Sequence, residues 1–127
     1  MGAALWLIAL SVVPSQSAVE SWVRRYSHPA DSSDEAQKIV TDAAGNVVVV
    51  GSTDDNISGK DFLIIKYSGA GVPLWTNRYD GPSSLDDYAA GVAVDGSGNV
   101  FVTGYSAGGS TSFDYATLAS DRTARCM

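Results

Sequence analysis

The loop segment "STDDNISGKD" contains three aspartates that could bind a metal ion. Asp54, Asp55 and Asp61 offer carboxylate oxygens, which are ligands that Ca²⁺ prefers. Their spacing does not match the fixed ligand positions of an EF-hand loop, and the corresponding later stretch, "SAGGSTSFD", lacks the first two aspartates. We therefore predict a solvated loop and no cofactor, with a calcium site formed by these three residues as the alternative.

Residues suited to acid–base chemistry do not form a recognisable catalytic set. Asp34 with Glu35, and Asp86 with Asp87, are adjacent carboxylates. Glycosidases need two carboxylates that face each other across a substrate, whereas neighbours on a strand point to opposite faces. His28, the one histidine, could act as a base, but no nucleophile lies at a characteristic spacing from it. No G-x-S-x-G, Walker, Rossmann or His-x-x-x-His pattern occurs, so we predict no catalytic residues.

Aromatic side chains recur in a fixed pattern. Trp22 and Tyr26 are followed by Trp75 and Tyr79 at an offset of 53 residues. Such rings could stack on sugars. Their recurrence in register favours packing between structural units instead. A binding surface that includes Trp22, Trp75 and Tyr79 is the alternative.

The chain between Trp22 and Asp114 repeats at this same offset of 53 residues. "SWVRRYSHP" aligns with "LWTNRYDGP", and "GNV" occurs in both copies. Further identities are Arg25 with Arg78, Pro29 with Pro82, Asp34 with Asp87, Ala36 with Ala89, Asp42 with Asp95, Gly51 with Gly104 and Asp61 with Asp114. A period near 50 residues is typical of solenoids, propellers and other arrays. We therefore predict two tandem units, 22–74 and 75–118, within a repeat region 18–118.

Each unit contains a predicted hairpin turn, "DAAGN" in the first and "DGSGN" in the second. An aspartate can accept hydrogen bonds from nearby backbone N–H groups, and Gly and Asn tolerate positive φ. We therefore predict structural turn roles for six residues, which are Asp42, Gly45, Asn46, Asp95, Gly98 and Asn99.

The hydrophobic pattern predicts four short strands in the first unit. They are 37–41, 47–52, 61–67 and 73–79. Four consecutive valines, Val47 to Val50, break the alternation expected of a strand with one solvated face and indicate a strand covered on both faces. Stacked propeller blades cover their inner and middle strands in this way and leave the outer strand wetter. The predicted fold is all-β, with tandem four-stranded antiparallel propeller blades.

The hairpin segments "DEAQKIVTDAAGNVVVVGST" and "DDYAAGVAVDGSGNVFVTGYS", together with "DFLIIKYSGAGVPLW", resemble the bacterial SBBP-type β-propeller repeat, a seven-bladed family. The resemblance covers about residues 22–115. It implies a secreted or cell-surface propeller, often within a large protein, with no universal catalytic set. The chain departs from the pattern where Lys38 replaces the glycine found at Gly91, and where "SDRTARCM" replaces a further strand.

The predicted strands amount to about two blades, with Trp22–Tyr26 as an additional outer strand. Propellers close with at least four blades. Two blades alone would expose apolar faces lined by residues such as Val48, Ile64 and Phe101. We therefore expect an incomplete propeller: a fragment of a longer one, a ring shared by several chains, or two sheets folded as a small sandwich. Residues 119–127 are predicted to be an irregular tail.

The N-terminal residues predict export. The apolar run Ala3–Val13 is short for a membrane span, and the small residues before Ala18 suit cleavage after Ser17. We expect 1–17 to be a signal peptide and the mature protein to be secreted or at the cell surface, without a membrane span. An uncleaved anchor or a buried N-terminal segment is the alternative. Cys126 is the one cysteine, so no intrachain disulfide can form.

Composition narrows the function classes. The net charge of −6, without a basic stripe, argues against nucleic acid or an anionic membrane as the main partner. Two classes are left. The first is a non-catalytic extracellular repeat module, a scaffold that binds protein, glycan, further blades or copies of itself. The second is a fragment of a larger secreted propeller enzyme whose catalytic residues lie outside this chain.

Overall fold

A computed structural model describes residues 2–4, 19–30, 32–109, 112–121 and 123. Most of the predicted signal peptide and Cys126 therefore lie outside the described residues. The described part contains seven strands and no helix. The strands are β1 (Asp34–Thr41), β2 (Val47–Asp54), β3 (Lys60–Tyr67), β4 (Pro73–Tyr79), β5 (Asp87–Val94), β6 (Val100–Ala107) and β7 (Phe113–Ser120).

The strands form two antiparallel sheets. The first sheet has the order β1-β2-β3-β4 and the second has the order β5-β6-β7. The all-β prediction is confirmed, and neither sheet closes on itself. Since no helix occurs in the described ranges, none there has the length and apolar character needed to cross a membrane.

The two predicted hairpin turns have the same geometry. In the first, Asp42 Oδ1 accepts hydrogen bonds from the N–H groups of Ala44 and Asn46, both at 2.9 Å. Gly45 has a φ of 78°, and Gly98 in the second turn has a φ of 87°. These positive values explain why both turns use glycine at this position. The equivalent aspartate, Asp95, accepts matching bonds from Ser97 and Asn99.

Both sheets also share an irregularity in their first strand. The register of β1 against β2 shifts between Ala36 and Lys38, and the register of β5 against β6 shifts between Ala89 and Gly91. The partner strands carry Gly51 and Gly104 beside these shifts. A β-carbon at Gly51 would overlap the Glu35 carbonyl oxygen, and one at Gly104 would overlap the equivalent oxygen of Tyr88. The repeated glycine is therefore required by close approach of two backbones.

The main hydrophobic core lies between the two sheets. Val48, Val50, Phe62 and Ile64 of the first sheet are fully buried there against the second sheet. The residues of the second sheet in this core are Ala89, Val100, Val102 and Ala116. The expectation that Val48 and Ile64 line an exposed blade face is therefore wrong, because β5 packs against β1, β2 and β3 and brings the sheets together.

A second cluster covers the other face of the first sheet. Leu63, Ile65 and Tyr67 are buried there, with Tyr26 packed against them. Trp22 lies with its ring 5.9 Å from that of Tyr67 and donates a hydrogen bond to the Gly69 carbonyl oxygen. Residues 22–26 form no strand, so the predicted outer strand is wrong. The segment packs across the face of the sheet instead of extending a sheet edge.

Two strands differ from the blade prediction: β1 in its burial and β7 in its length. β1, predicted to be a covered inner strand, is largely exposed, and Ile39 in it is 65% exposed. Its free edge has no neighbouring strand among the described residues. β7 continues as a strand through Ser120, although the sequence predicted an irregular tail from residue 119.

Candidate functional site

Three aspartates meet where the two sheets join. Asp61 is the second residue of β3, Asp80 directly follows β4, and Asp87 begins β5. One carboxylate oxygen from each lies within 4.8 Å of the other two. Asp61 and Asp87 are fully buried, whereas Asp80 is exposed. We call these three residues the aspartate cluster.

A guanidinium group approaches the cluster from one side. Arg78 Nε donates a 2.6 Å hydrogen bond to Asp61 Oδ2, and its Nη2 lies 2.6 Å from Asp55 Oδ2 and also contacts Asp61. Nη2 also donates to Ser58 Oγ at 3.0 Å. Arg78 is therefore the cationic partner of both the fully buried Asp61 and the less buried Asp55. Adding Asp80 and Asp87 leaves this region with more negative than positive charge.

Two of the predicted calcium ligands have other partners. Asp55 Oδ1 accepts hydrogen bonds from the N–H groups of Ser58 and Ile57, both at 2.8 Å. These bonds, with those from Arg78 and the Ser58 hydroxyl, hold the pKa of Asp55 well below its usual range. Asp54 Oδ1 accepts from the Asn56 N–H at 2.7 Å. Of the three predicted residues, the structure places only Asp61 in the aspartate cluster.

Asp61 is an unusual carboxylate. Burial raises its pKa to about 6, although the hydrogen bond from Arg78 acts in the opposite direction. Its Oδ1 atom is buried and has no hydrogen-bond partner among the described residues. The Arg78 interaction therefore satisfies one oxygen of Asp61 and leaves the other without a donor.

Asp87 has the same imbalance. Its Oδ2 accepts a hydrogen bond from the Gly81 N–H, while Oδ1 has no described partner. The hydroxyl of Ser106, also buried, has none either. A β-carbon at Gly81 would lie 2.9 Å from Asp87 Oδ1 and would overlap Ser106 Oγ. Glycine at this position therefore keeps open the space into which both oxygens project.

The first unit uses the equivalent residues differently. Asp34 stands at the position of Asp87, and Thr53 at that of Ser106. There, Asp34 Oδ1 accepts a 2.6 Å bond from Thr53 Oγ1, and Oδ2 accepts a 3.0 Å bond from the His28 N–H. Both carboxylate oxygens of Asp34 are thus satisfied within the protein. In the second unit the Gly81 N–H makes the equivalent bond to Asp87 Oδ2, but the Ser106 hydroxyl makes no bond to Asp87 Oδ1.

The paired carboxylates considered for acid–base chemistry separate onto different partners. Asp86 Oδ1 accepts from the Lys60 N–H at 3.0 Å and Oδ2 from the Tyr88 hydroxyl at 3.1 Å. Glu35 forms a 3.6 Å ion pair with Lys60. His28 Nδ1 accepts a 3.2 Å bond from the Ala30 N–H. None of these contacts places two carboxylates across an open cleft.

The aromatic candidates pack between structural layers. Trp75 and Tyr79 lie against the inter-sheet core, and the Tyr79 ring is 5.5 Å from that of Phe62. Trp22 and Tyr26 lie in the same way on the outer face of the first sheet. The predicted packing role of the recurrent Trp and Tyr agrees with this placement.

Sequence reasoning found only one residue, Phe101, of a different aromatic surface. The outer face of the second sheet carries four exposed aromatic side chains, which we call the aromatic face: Phe101, Tyr105, Phe113 and Tyr115. The rings of Tyr105 and Phe113 meet edge to face at 5.2 Å. Tyr88 stacks on Tyr105 at 5.1 Å. The alternation of side chains along β6 and β7 could have indicated this surface, because the four aromatic residues all have odd residue numbers and so share one face of the sheet.

Comparison with known proteins gives one positive result. A search of curated proteins finds no match to the chain. A family model described as the SBBP beta-propeller repeat matches residues 74–112, which include almost all of β4 and the whole of β5 and β6. The matched segment crosses from the first sheet into the second and contains Asp80 and Asp87. Residues 74–112 are therefore similar to the SBBP beta-propeller repeat.

Proposed function

We propose that this chain is a non-catalytic repeat module that acts by stacking its sheets against further sheets of the same kind. The observation that carries the proposal is the contrast between two equivalent residues. Phe62 in β3 is fully buried between the sheets, whereas Tyr115, at the equivalent position of β7, is 98% exposed. The face that the first sheet buries is the face that the second sheet leaves open.

The same contrast holds for the neighbouring strands. Val48 in β2 is fully buried, and its equivalent in β6, Phe101, is 38% exposed. The other faces of both sheets are already covered in equivalent ways. Residues 22–26 pack on the first sheet, and β4, their equivalent, packs against the core that the second sheet helps to form. Continuing this order by one step would place another sheet on the aromatic face.

The chemistry of the aromatic face suits a protein partner. Large exposed aromatic side chains bury much apolar area on association, and Tyr and Phe are enriched in protein interfaces. An exposed aromatic cluster such as that of Tyr105, Phe113 and Tyr115 is unusual on an isolated monomer. We propose that another copy of the chain or a further propeller sheet covers it. Glycan binding on the same rings is the competing outcome.

We also propose that the module works outside the cytoplasm. The proposal is supported by the apolar run Ala3–Val13 and the small residues that precede Ala18. Mass spectrometry of material secreted by an expressing cell should find an N-terminus at or near Ala18. Recovery of the chain only in the cytoplasm, with Met1 retained, would contradict it.

Sedimentation velocity of the purified chain tests the stacking proposal. We expect self-association at micromolar concentration, weakened at least tenfold by Tyr115→Ser. Ile57→Ser is the matched control, because Ile57 is an apolar loop residue that is 91% exposed and belongs to neither strand of the aromatic face. A cooperatively folded monomer at all concentrations, with no difference between the variants, would overturn the proposal. Glycan binding that Tyr115→Ser abolishes in such a monomer would favour the competing outcome.

A further inference from the structure

We propose that the aspartate cluster binds one divalent cation of the oxygen-preferring class, to which Ca²⁺ and Mg²⁺ belong, at the junction of the two sheets. The ligands are carboxylate oxygens of Asp61, Asp80 and Asp87. The site differs from the calcium site predicted in the loop, because Asp54 and Asp55 bind backbone N–H groups instead. It does not depend on whether the aromatic face binds a partner.

The aspartate cluster carries more negative charge than its described partners balance. Three carboxylates bring one oxygen each within 4.8 Å of the others, and two of these carboxylates are fully buried. Like charges at this separation repel strongly where water is excluded. Arg78 contacts only Asp61 of the three and is shared with Asp55. A divalent cation would supply the charge that balances Asp80 and Asp87.

Buried oxygen atoms in and beside the aspartate cluster lack hydrogen-bond donors. Asp61 Oδ1, Asp87 Oδ1 and Ser106 Oγ are all buried without a hydrogen-bond partner among the described residues. Buried polar atoms are almost always paired in folded proteins, and an exception calls for a bound group. The Ser106 hydroxyl is not part of the acidic cluster, yet it faces the same space beside Gly81 as Asp87 Oδ1. It is therefore an independent sign of a ligand.

The ligand chemistry selects the class of cation. Every candidate donor is a carboxylate or hydroxyl oxygen, which suits hard cations that bind oxygen. No histidine or cysteine belongs to the cluster, so the donor set does not favour Zn²⁺. Asp80 is exposed and gives an ion access from solvent. Exposure on that side also leaves room for the water ligands that both Ca²⁺ and Mg²⁺ retain.

The position of the site gives it a structural consequence. Asp61 lies in β3 of the first sheet and Asp80 directly follows β4, whereas Asp87 begins the second sheet. A cation held by all three would link consecutive repeat units at the connection between β4 and β5. We therefore expect ion binding to stabilise the pair of sheets against unfolding.

Isothermal titration calorimetry on chelator-treated protein, with CaCl₂ and MgCl₂ in separate arms, tests the proposal. We expect saturable binding of one ion and a raised melting temperature in the presence of the preferred ion. Asp80→Asn should weaken binding at least tenfold. Because Asp80 is exposed, this variant should fold as the parent does in chelator. Glu20→Gln, which removes one charge from another exposed carboxylate, should bind as the parent does.

A second variant, Asp87→Asn, tests the proposal at a buried ligand of the aspartate cluster. Asp87→Asn retains an oxygen that can accept the Gly81 N–H bond but removes one negative charge. We expect it to lose ion binding and, in chelator, to melt no lower than the parent. No binding of either ion up to millimolar concentration would overturn the proposal. Equal loss of binding in Glu20→Gln would also overturn it, since Glu20 is not part of the aspartate cluster.

Discussion

Asp42 and Lys66 form a buried ion pair between the first hairpin turn and β3. Lys66 Nζ lies 2.8 Å from Asp42 Oδ2, and both side chains are 5% exposed or less. The hydrogen bond from Lys66, followed by those from Asn46, holds the pKa of Asp42 well below its usual range, although burial acts in the opposite direction. The pair connects the hairpin turn of the first unit to β3, an interior strand of the first sheet.

This ion pair should make the protein sensitive to acid. A carboxyl whose pKa is lowered on folding contributes stability that is fully present above its unfolded pKa of about 4. That contribution is lost as the pH falls from there towards the folded pKa. We expect Asp42→Asn to lower the free energy of unfolding by roughly 1.5–3 kcal/mol at pH 7. Urea unfolding between pH 7 and pH 2 should show the difference between the two proteins narrowing in acid.

The second unit provides the control. Asp95 makes the same turn contacts, but Ala119 stands where the first unit has Lys66. The hydrogen bonds from Asn99 lower the pKa of Asp95 without any help from a lysine. Asp95→Asn should therefore destabilise the protein less than Asp42→Asn. Equal losses would mean that the turn bonds, and not Lys66, dominate.

The close approach at the strand irregularity predicts a glycine-specific effect. A β-carbon at Gly104 would overlap the Tyr88 carbonyl oxygen and lie 2.7 Å from Phe62 Cζ, so neither backbone nor core can accommodate it unchanged. Gly104→Ala should cost roughly 1–3 kcal/mol of stability, measured by thermal or urea unfolding. Gly96→Ala is the matched control, because no atom lies within 4 Å of a β-carbon there. A loss in both variants would point to backbone conformation instead of overlap.

The sequence predicted the elements inside each unit well because their signals are local. The turn aspartates, the glycines and the apolar runs each act within a few residues. β4 was predicted with its observed bounds, and β1 starts three residues earlier than predicted, at Asp34 instead of Gln37. The 53-residue register also matches the way in which the two hairpins are built, down to the shared irregularity before Lys38 and Gly91.

Contacts between units were harder to predict. The exposure of Ile39 and the placement of Trp22 depend on which sheet lies against which face, and the repeat alone does not specify this. Ser27 stands at the position equivalent to Asp80 in the preceding repeat position, so the repeat did not identify Asp80 as a recurring acidic residue. Asp80 meets Asp61 and Asp87 because β4 pairs with β3 and β5 packs against β3. The aspartate cluster therefore had no signal in the spacing of residues along the chain.

Arg78 forms a hydrogen bond and an ion pair with the buried Asp61 and should stabilise that carboxylate in the folded protein. Removing its guanidinium would leave Asp61, a fully buried carboxylate, without its one described charged partner. Loss of one member of a buried pair is strongly destabilising, but the Arg78 side chain is 34% exposed, and solvent reduces the effect. We expect Arg78→Gln to lower the free energy of unfolding by about 1–3 kcal/mol at neutral pH.

Arg25 is the residue equivalent to Arg78 in the preceding repeat position, and it is exposed. Arg25→Gln makes the same chemical change without touching the aspartate cluster, so its unfolding free energy should stay within about 0.5 kcal/mol of the parent. Urea unfolding of the two variants, in chelator to remove any bound cation, isolates the contribution of the Arg78–Asp61 contact. If Arg78→Gln unfolds at the same urea concentration as Arg25→Gln, the burial of Asp61 must be supported by something other than Arg78.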